Sequence, residues 1–345
     1  MGPHVKSPAA RLVAQFLLAA LLWMCSGLPS MATDAIEGKR LPMAADFSSR
    51  KARKEISGAA CGGVELRFDW CLAVNDERRW AQFFSIADGK LVPRETIALL
   101  PEEVGDVAYG EIDAEGAAYD DGHFYAVGSH GLSRSSAEYR ASQFFVFRFP
   151  VNRRTGKPGF SFSRSKVSSR IERSDKLRTL IARAPHVGAF AEKPLDANGV
   201  NIEGLAVRTG RMYLGFRGPS LAGNAFIMDV AVSAVFGRRE PDTRVHALAL
   251  GKDTGIRDLA RVSDGLLVLA GPVNDQEVAW SIHFWSPDDN RLTKLATLDR
   301  DHDGLAETLL VLSEDEARGV TSYEVLVMYD GLRNGRPTRF RLQRR

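Results

Sequence analysis

Residues 201–219 read Asn201-Ile202-Glu203-Gly204-Leu205-Ala206-Val207-Arg208-Thr209-Gly210-Arg211-Met212-Tyr213-Leu214-Gly215-Phe216-Arg217-Gly218-Pro219. A polar start passes through small and apolar residues into Arg208-Thr209-Gly210-Arg211, where glycine supplies the positive φ of a tight hairpin. A second apolar run follows. The same plan recurs at Ile56-Ser57-Gly58-Ala59-Ala60, Ala114-Glu115-Gly116-Ala117-Ala118, Arg257-Asp258-Leu259-Ala260 and Ala306-Glu307-Thr308-Leu309. Matching second strands are Cys71–Val74, Phe124–Val127, Leu267–Leu269 and Val325–Met328. Turns at Asp120-Asp121-Gly122-His123 and Ser263-Asp264-Gly265-Leu266 carry glycine at the expected hairpin position.

Aromatic-rich third strands follow, such as Ala81–Ile86, Gln143–Arg148 and Ser281–Trp285. Strand–turn–strand units at a spacing of about 50 residues are the signature of propeller blades. The fold expected is therefore an all-β propeller of five to six blades. One interval is longer, and its excess contains Asp175–Arg183 with apolar positions at helical spacing, so a short helical insertion is expected around 172–190. The Arg40–Lys54 segment and the final Thr338–Leu342 strand are placed to share a blade and close the ring.

The chain has 345 residues, with 46 Lys+Arg against 43 Asp+Glu. Lys6 and Arg11 precede the apolar run Leu12–Met24, and Ser30-Met31-Ala32 offers small residues where a signal peptidase cuts. Residues 1–32 thus read as a cleaved signal peptide and 33–345 as a single propeller domain in the periplasm or secreted. A lipoprotein reading of Cys25 fails because Met24 stands where a small residue is needed. The apolar run is shorter than the ~20 residues of a membrane span, so no span is expected after cleavage. Without Lys6 and Arg11 the balance is 44 against 43, and no basic stripe suits nucleic acid. A monomer is expected. The remaining cysteines, Cys61 and Cys71, face each other across one hairpin, which fits a disulfide in an oxidising compartment or a pair of buried thiols.

The repeat also aligns acidic residues. Glu115, Glu203, Asp258 and Glu307 fall at the start of the first strand of their units, with Ser57 in the remaining slot. First strands line a propeller's channel, so these carboxylates crowd one mouth and raise one another's pKa unless neutralised. Such hard oxygen donors suit Ca²⁺ or Mg²⁺; the alternative is that each caps backbone amides of the neighbouring blade. The ends of the second strands bring His130, Arg217, Asp76 and Asp330 to the same face. Asp299-Arg300-Asp301-His302-Asp303-Gly304 begins like a calcium loop, making Asp301 and Asp303 candidate ligands. Leu310 stands where an EF-hand has its bidentate Glu, so a solvated turn is the alternative. No nucleophile elbow, P-loop, dinucleotide fingerprint or zinc spacing occurs.

Asn201–Ala206 with Tyr213–Pro219, the Leu177–Phe190 insertion, and Glu115–Tyr119 with Gly128-Ser129-His130 resemble bacterial domain-of-unknown-function family 3616, from about Ile56 to Gly331. More distantly, the Glu-Gly-Ala/Leu starts are similar to the phytase-like propeller esterases. That likeness implies calcium and carboxylates in the channel acting on phosphorylated substrates. On this reading Glu115, Glu203, Asp258 and Glu307 ligate Ca²⁺ or position water, Arg217 holds the anion and His130 is acid or base in phosphoester or ester hydrolysis. The rival expectation is a non-catalytic propeller binding a small molecule or protein partner on the same face.

Overall fold

The computed structural model describes residues 1–2, 35–63, 68–134, 136–299 and 302–345. The expected signal segment, apart from its first two residues, and Asp301 lie outside the described residues. Ala35–Arg345 forms one compact unit.

After β1 (Ala35–Ile36) and β2 (Lys39–Arg40), blade one holds β3 (Ile56–Cys61), β4 (Cys71–Asn75), β5 (Trp80–Ala87) and β6 (Lys90–Ala98). A small ribbon, β7 (Glu103–Val104) and β8 (Val107–Ala108), precedes blade two, which is β9 (Ala114–Asp120), β10 (His123–Gly128), β11 (Val146–Pro150) and β12 (Glu172–Ser174). Helix α1 (Lys176–Arg183) leads into blade three. That blade is β13 (Asn201–Arg208), β14 (Arg211–Gly218) and β15 (Ala225–Ala231), then α2 (Val232–Phe236) and β16 (Arg244–Leu248). Blade four is β17 (Thr254–Arg261), β18 (Leu266–Pro272), β19 (Ser281–Trp285) and β20 (Leu292–Leu298). Blade five is β21 (Leu305–Ala317), β22 (Val320–Asp330) and β23 (Thr338–Arg344).

Each blade is an antiparallel meander, and five such sheets stand side by side. The innermost strands touch in the order β3, β9, β13, β17, β21 and back to β3, which closes the ring. Of the five to six blades expected, five form. Closure differs in detail from expectation: of the Arg40–Lys54 segment only Arg40 joins blade five, pairing with Thr338 as Lys39 before it pairs with Arg339, while Met43 bridges to Leu91 of blade one. β1 runs parallel to β20 and extends blade four. The segment expected to be a helical insertion around 172–190 begins as the outer strand of blade two, and only Lys176–Arg183 is α-helical. Its Leu177 and Ile181, one turn apart, are buried between blades two and three.

The apolar residues sort into five layers, one for each pair of neighbouring blades. Successive residues of an inner strand alternate between two layers, because side chains on a strand point to opposite faces. At four seams an alanine from one inner strand meets a leucine from the next: Ala118 with Leu205, Ala206 with Leu259, Ala260 with Leu309, Ala59 with Leu310. At the fifth seam, between blades one and two, Ala60 meets Ala117.

Hairpin turns at Asp121-Gly122, Thr209-Gly210, Asp88-Gly89 and Arg318-Gly319 have positive φ at both residues, the pairing required by a two-residue loop that matches strand twist. Gly265 does not adopt positive φ; a Cβ there would meet Trp285 O at 2.5 Å, so this glycine serves close packing. Cys61 and Cys71 are paired in register on β3 and β4, 3.9 Å apart at Cα, and form a disulfide.

Gly58, Gly116 and Gly204 sit where inner strands approach each other most tightly. A Cβ on Gly116 would lie 2.7 Å from Leu205 Cβ, and one on Gly204 2.8 Å from Leu259 Cγ. Gly204→Ala is therefore expected to cost about 1–3 kcal/mol in urea denaturation, as an overpacked core does. Gly110→Ala, whose new methyl meets nothing within 4 Å, should stay within about 0.5 kcal/mol of wild type.

Candidate functional site at the polar mouth

Near the start of every inner strand the register with the second strand slips by one residue, between Ile56 and Gly58, Ala114 and Gly116, Ile202 and Gly204, Ile256 and Asp258, and Ala306 and Thr308. A bulge of this kind leaves one residue unpaired and re-aims its side chain. The bulged residues are Ser57, Glu115, Glu203, Arg257 and Glu307. The repeat, matched on its acidic residues, predicts Asp258 in this ring. The structure places Arg257 there, and Asp258 takes the position held by glycine in the first three blades.

Asp258 does other work. Its Oδ1 accepts the Leu259 N–H at 2.7 Å and its Oδ2 accepts the Leu309 N–H at 2.6 Å, on the inner strand of the next blade. The Leu205 N–H of the preceding blade also bonds it, while burial pushes its pKa well up. This is the amide-capping role raised as an alternative for the whole ring.

Arg257 is fully buried and organises the acids around it. Its Nε lies 2.6 Å from Glu203 Oε2, its Nη2 contacts Glu307 Oε1, and its Nη1 donates to Pro272 O at 3.1 Å. Trp280 covers the guanidinium, ring centroid 5.3 Å away. Arg217 donates through Nη1 to Glu203 Oε1 at 2.7 Å and through Nε to Val273 O at 2.5 Å. Glu203 is thus clamped between two arginines, each braced by a carbonyl just beyond or at the end of β18.

The remaining acids are less well matched. Glu115 is pushed well above the usual carboxylate range, by burial and then by Asp113, Glu203, Glu307 and Asp76. Burial raises Asp113 as well, with Glu203 and Glu111 adding to it. Burial together with Asp113, Glu55, Asp330 and Glu307 lifts Asp76 to about 9. Glu307 rises to about 8, burial and Glu203 outweighing Arg257. Asp330 rises to about 7, by burial and by a carboxyl–carboxyl hydrogen bond to Glu55. Asp76 Oδ1 and Asp330 Oδ1 are buried without a hydrogen-bond partner among the described residues.

Of the side chains expected on this face, Asp76, Asp330 and Arg217 join the carboxylates. His130 does not. It holds a left-handed backbone, φ 50°, its Nδ1–H donates to Gly128 O at 2.9 Å, and its ring lies edge-on to Phe144. Nε2 is therefore a bare acceptor with no partner, and burial lowers the pKa to about 4. Asp303 is exposed on the β20–β21 loop, where His302 Nδ1 accepts the Gly304 N–H at 3.2 Å. Among the described residues, no three His, Cys, Asp or Glu side chains converge tightly enough to hold a metal as they stand.

Sequence reading missed Arg257, Asp113 and Glu55. The signal for Arg257 was present: matching Leu259-Ala260 to Leu205-Ala206 sets Arg257 against Glu203, whereas matching charge alone selects Asp258. Asp113 and Glu55 precede the repeat unit, and nothing in the pattern marks them.

These features define a five-bladed β-propeller whose channel mouth holds a buried carboxylate–arginine network. The chain belongs to the family described as "Protein of unknown function (DUF3616)", whose model matches residues 90–148 and 141–340. No curated protein matches the sequence. Among solved structures it is similar to the Kuenenia stuttgartiensis hydrazine synthase, at 9% identity over 84% of this chain and 60% of that one, TM-score 0.36. It is also similar to the tail fiber of Staphylococcus aureus phage P68, at 9% identity over 95% and 56%, TM-score 0.39. A third is a luciferin-regenerating enzyme, at 8% identity over 85% and 75%, TM-score 0.38. The chain thus spans 60% and 56% of the first two. Among the described residues no helix is long and apolar enough to cross a membrane.

Two outcomes follow from the network. Arg257→Leu strands Glu203 Oε2 and Glu307 without their shared cation, so urea denaturation should show a loss of about 3–5 kcal/mol. The raised acids also set a pH dependence. Unfolded, they lose protons near pH ~4; folded, Asp330, Glu307 and Asp76 keep theirs to about 7, 8 and 9. Across that window the folded state binds more protons, so stability falls as pH rises. Calorimetry in cation-free buffer should give a higher Tm near pH ~5 than near pH ~8.5, with a shallower slope in Asp76→Asn.

Proposed function

We propose that the protein is an exported, non-catalytic propeller that captures a hard divalent cation, Ca²⁺ in the first place, at its carboxylate mouth. The observation that carries this reading is the pair of buried, unpartnered oxygens Asp76 Oδ1 and Asp330 Oδ1, beside Glu55, Glu115 and Glu307. Two arginines neutralise Glu203 and part of Glu307, but the acids of blades five, one and two outnumber them. Oxygen donors in a flexible arrangement suit Ca²⁺, which tolerates varied geometry at 2.3–2.6 Å or so. A ligand or partner bearing its own cationic group would meet the same field.

The hydrolytic alternative asks Arg217 to bind a substrate anion and His130 to move a proton. Arg217 is committed to Glu203 and Val273, and among the described residues His130 has neither a charged group shifting its pKa nor a partner at Nε2. Binding is therefore the better-supported role. Export is supported by the N-terminal pattern of charge and apolar residues together with the Cys61–Cys71 disulfide.

Isothermal titration of the purified protein with CaCl₂ near pH ~8, with thermal unfolding alongside, tests the proposal. Saturable binding and a raised Tm are expected, both lost in Asp76→Asn/Asp330→Asn. Absence of binding in the wild type, or an unaltered isotherm in the double variant, would overturn it. Calcium-dependent hydrolysis of a generic phosphomonoester, abolished by Glu203→Gln, would favour the catalytic alternative.

A further inference from the structure

The opposite end of the channel has different chemistry. Beyond the glycine neck lies a cavity of about 420 Å³, lined by residues of all five inner strands. Its wall is mostly alanine, leucine and valine. Four seams are closed by a leucine against an alanine, but at the blade one–two seam Ala60 meets Ala117 and the leucine is missing. The cavity opens past Tyr119, Arg261, Ser263 and Glu314.

We propose that this cavity is a binding site for a small apolar molecule carrying one uncharged hydrogen-bonding group, seated body-inward against Ala60 and Ala117. The volume lies in the range of about 300–1,000 Å³ typical of small-ligand sites, which are mostly apolar with few polar contacts. The alanine, leucine and valine side chains of the wall offer dispersion contacts that an apolar body can make and water cannot. The rim argues for an uncharged head. Arg261 Nη1 pairs with Asp120 Oδ1 at 2.7 Å, and Glu314 accepts from Ser263 Oγ at 2.6 Å and Ser263 N at 2.9 Å. Each rim charge is already engaged, so a charged guest would have to break one of these contacts. The site is separate from the carboxylate mouth and does not depend on what binds there.

The test uses the neutral fluorophore N-phenyl-1-naphthylamine. Wild type should give a saturable fluorescence increase at one dye per chain. Ala117→Leu installs the residue found at the equivalent positions 205, 259 and 309 and should weaken binding about tenfold or more. No saturable increase in wild type, or equal affinity in a folded Ala117→Leu protein, overturns the proposal. Should Ala117→Leu fail to fold, xenon-pressurised wild-type crystals decide: density between Ala60 and Ala117 supports the site, and density only elsewhere refutes it.

Discussion

The bulge near the start of each inner strand is the constraint on which this molecule turns. A propeller blade pairs its inner strand only on one side, so the other side is free to follow the axis of the ring. One extra residue there releases a side chain from the ladder and lets it reach across to the next blade. Repeated five times, this gathers Ser57, Glu115, Glu203, Arg257 and Glu307 at one end. The next position lies against the neighbouring inner strand. Glycine fills it in blades one to three. In blade four Asp258 fills it and uses the proximity, bonding the amides of Leu259 and Leu309.

Charge then decides which of the gathered acids are quiet. Glu203 has a guanidinium on each oxygen, so its buried charge is compensated in place. Burying a carboxylate is otherwise costly, and the protein answers by holding protons on it. Glu115, Asp76 and Asp330 are in that condition, as is Glu307 despite Arg257. The mouth is thus graded: ion-paired on the side of blades three and four, under-neutralised from blade five through blade one to blade two. A uniform ring of four carboxylates, the picture suggested by the repeat, would not be so polarised.

What the sequence made legible was whatever repeats. The hairpin glycines at 122 and 210 and the alternation of the inner strands identify the blades, and the register of Cys61 with Cys71 follows from them. The charged positions were harder, because a one-residue bulge is invisible when acidic residues are aligned with acidic residues. That is how Asp258 displaced Arg257. His130 shows a different limit. It lies just beyond β10, but the direction of its ring depends on a left-handed backbone and the Gly128 carbonyl, neither of which a spacing argument contains. Glu55 and Asp113 precede their strands and enter the site only through the closing of the ring.

That closing gives the under-neutralised side its significance. Blades one and five are sequence-remote, and the chain between β2 and β3 is what joins them. Leu41 N donates to Pro337 O at 2.8 Å, Phe47 N to Asn334 Oδ1 at 3.0 Å, and Gly331 N to Lys54 O at 2.7 Å. Asp46 pairs with both Arg333 and Arg53 across the same junction. Glu55, Asp76 and Asp330 interact with one another beside this seam, so their mutual repulsion acts on the joint where blade five is completed by the N-terminal strand β2. Protons relieve that repulsion at low pH, and a cation held between Asp76 and Asp330 would relieve it at high pH. Either would act on the closure of the whole ring, because opening this seam exposes the apolar layer of Ala59, Leu310, Leu326 and Met328 behind it.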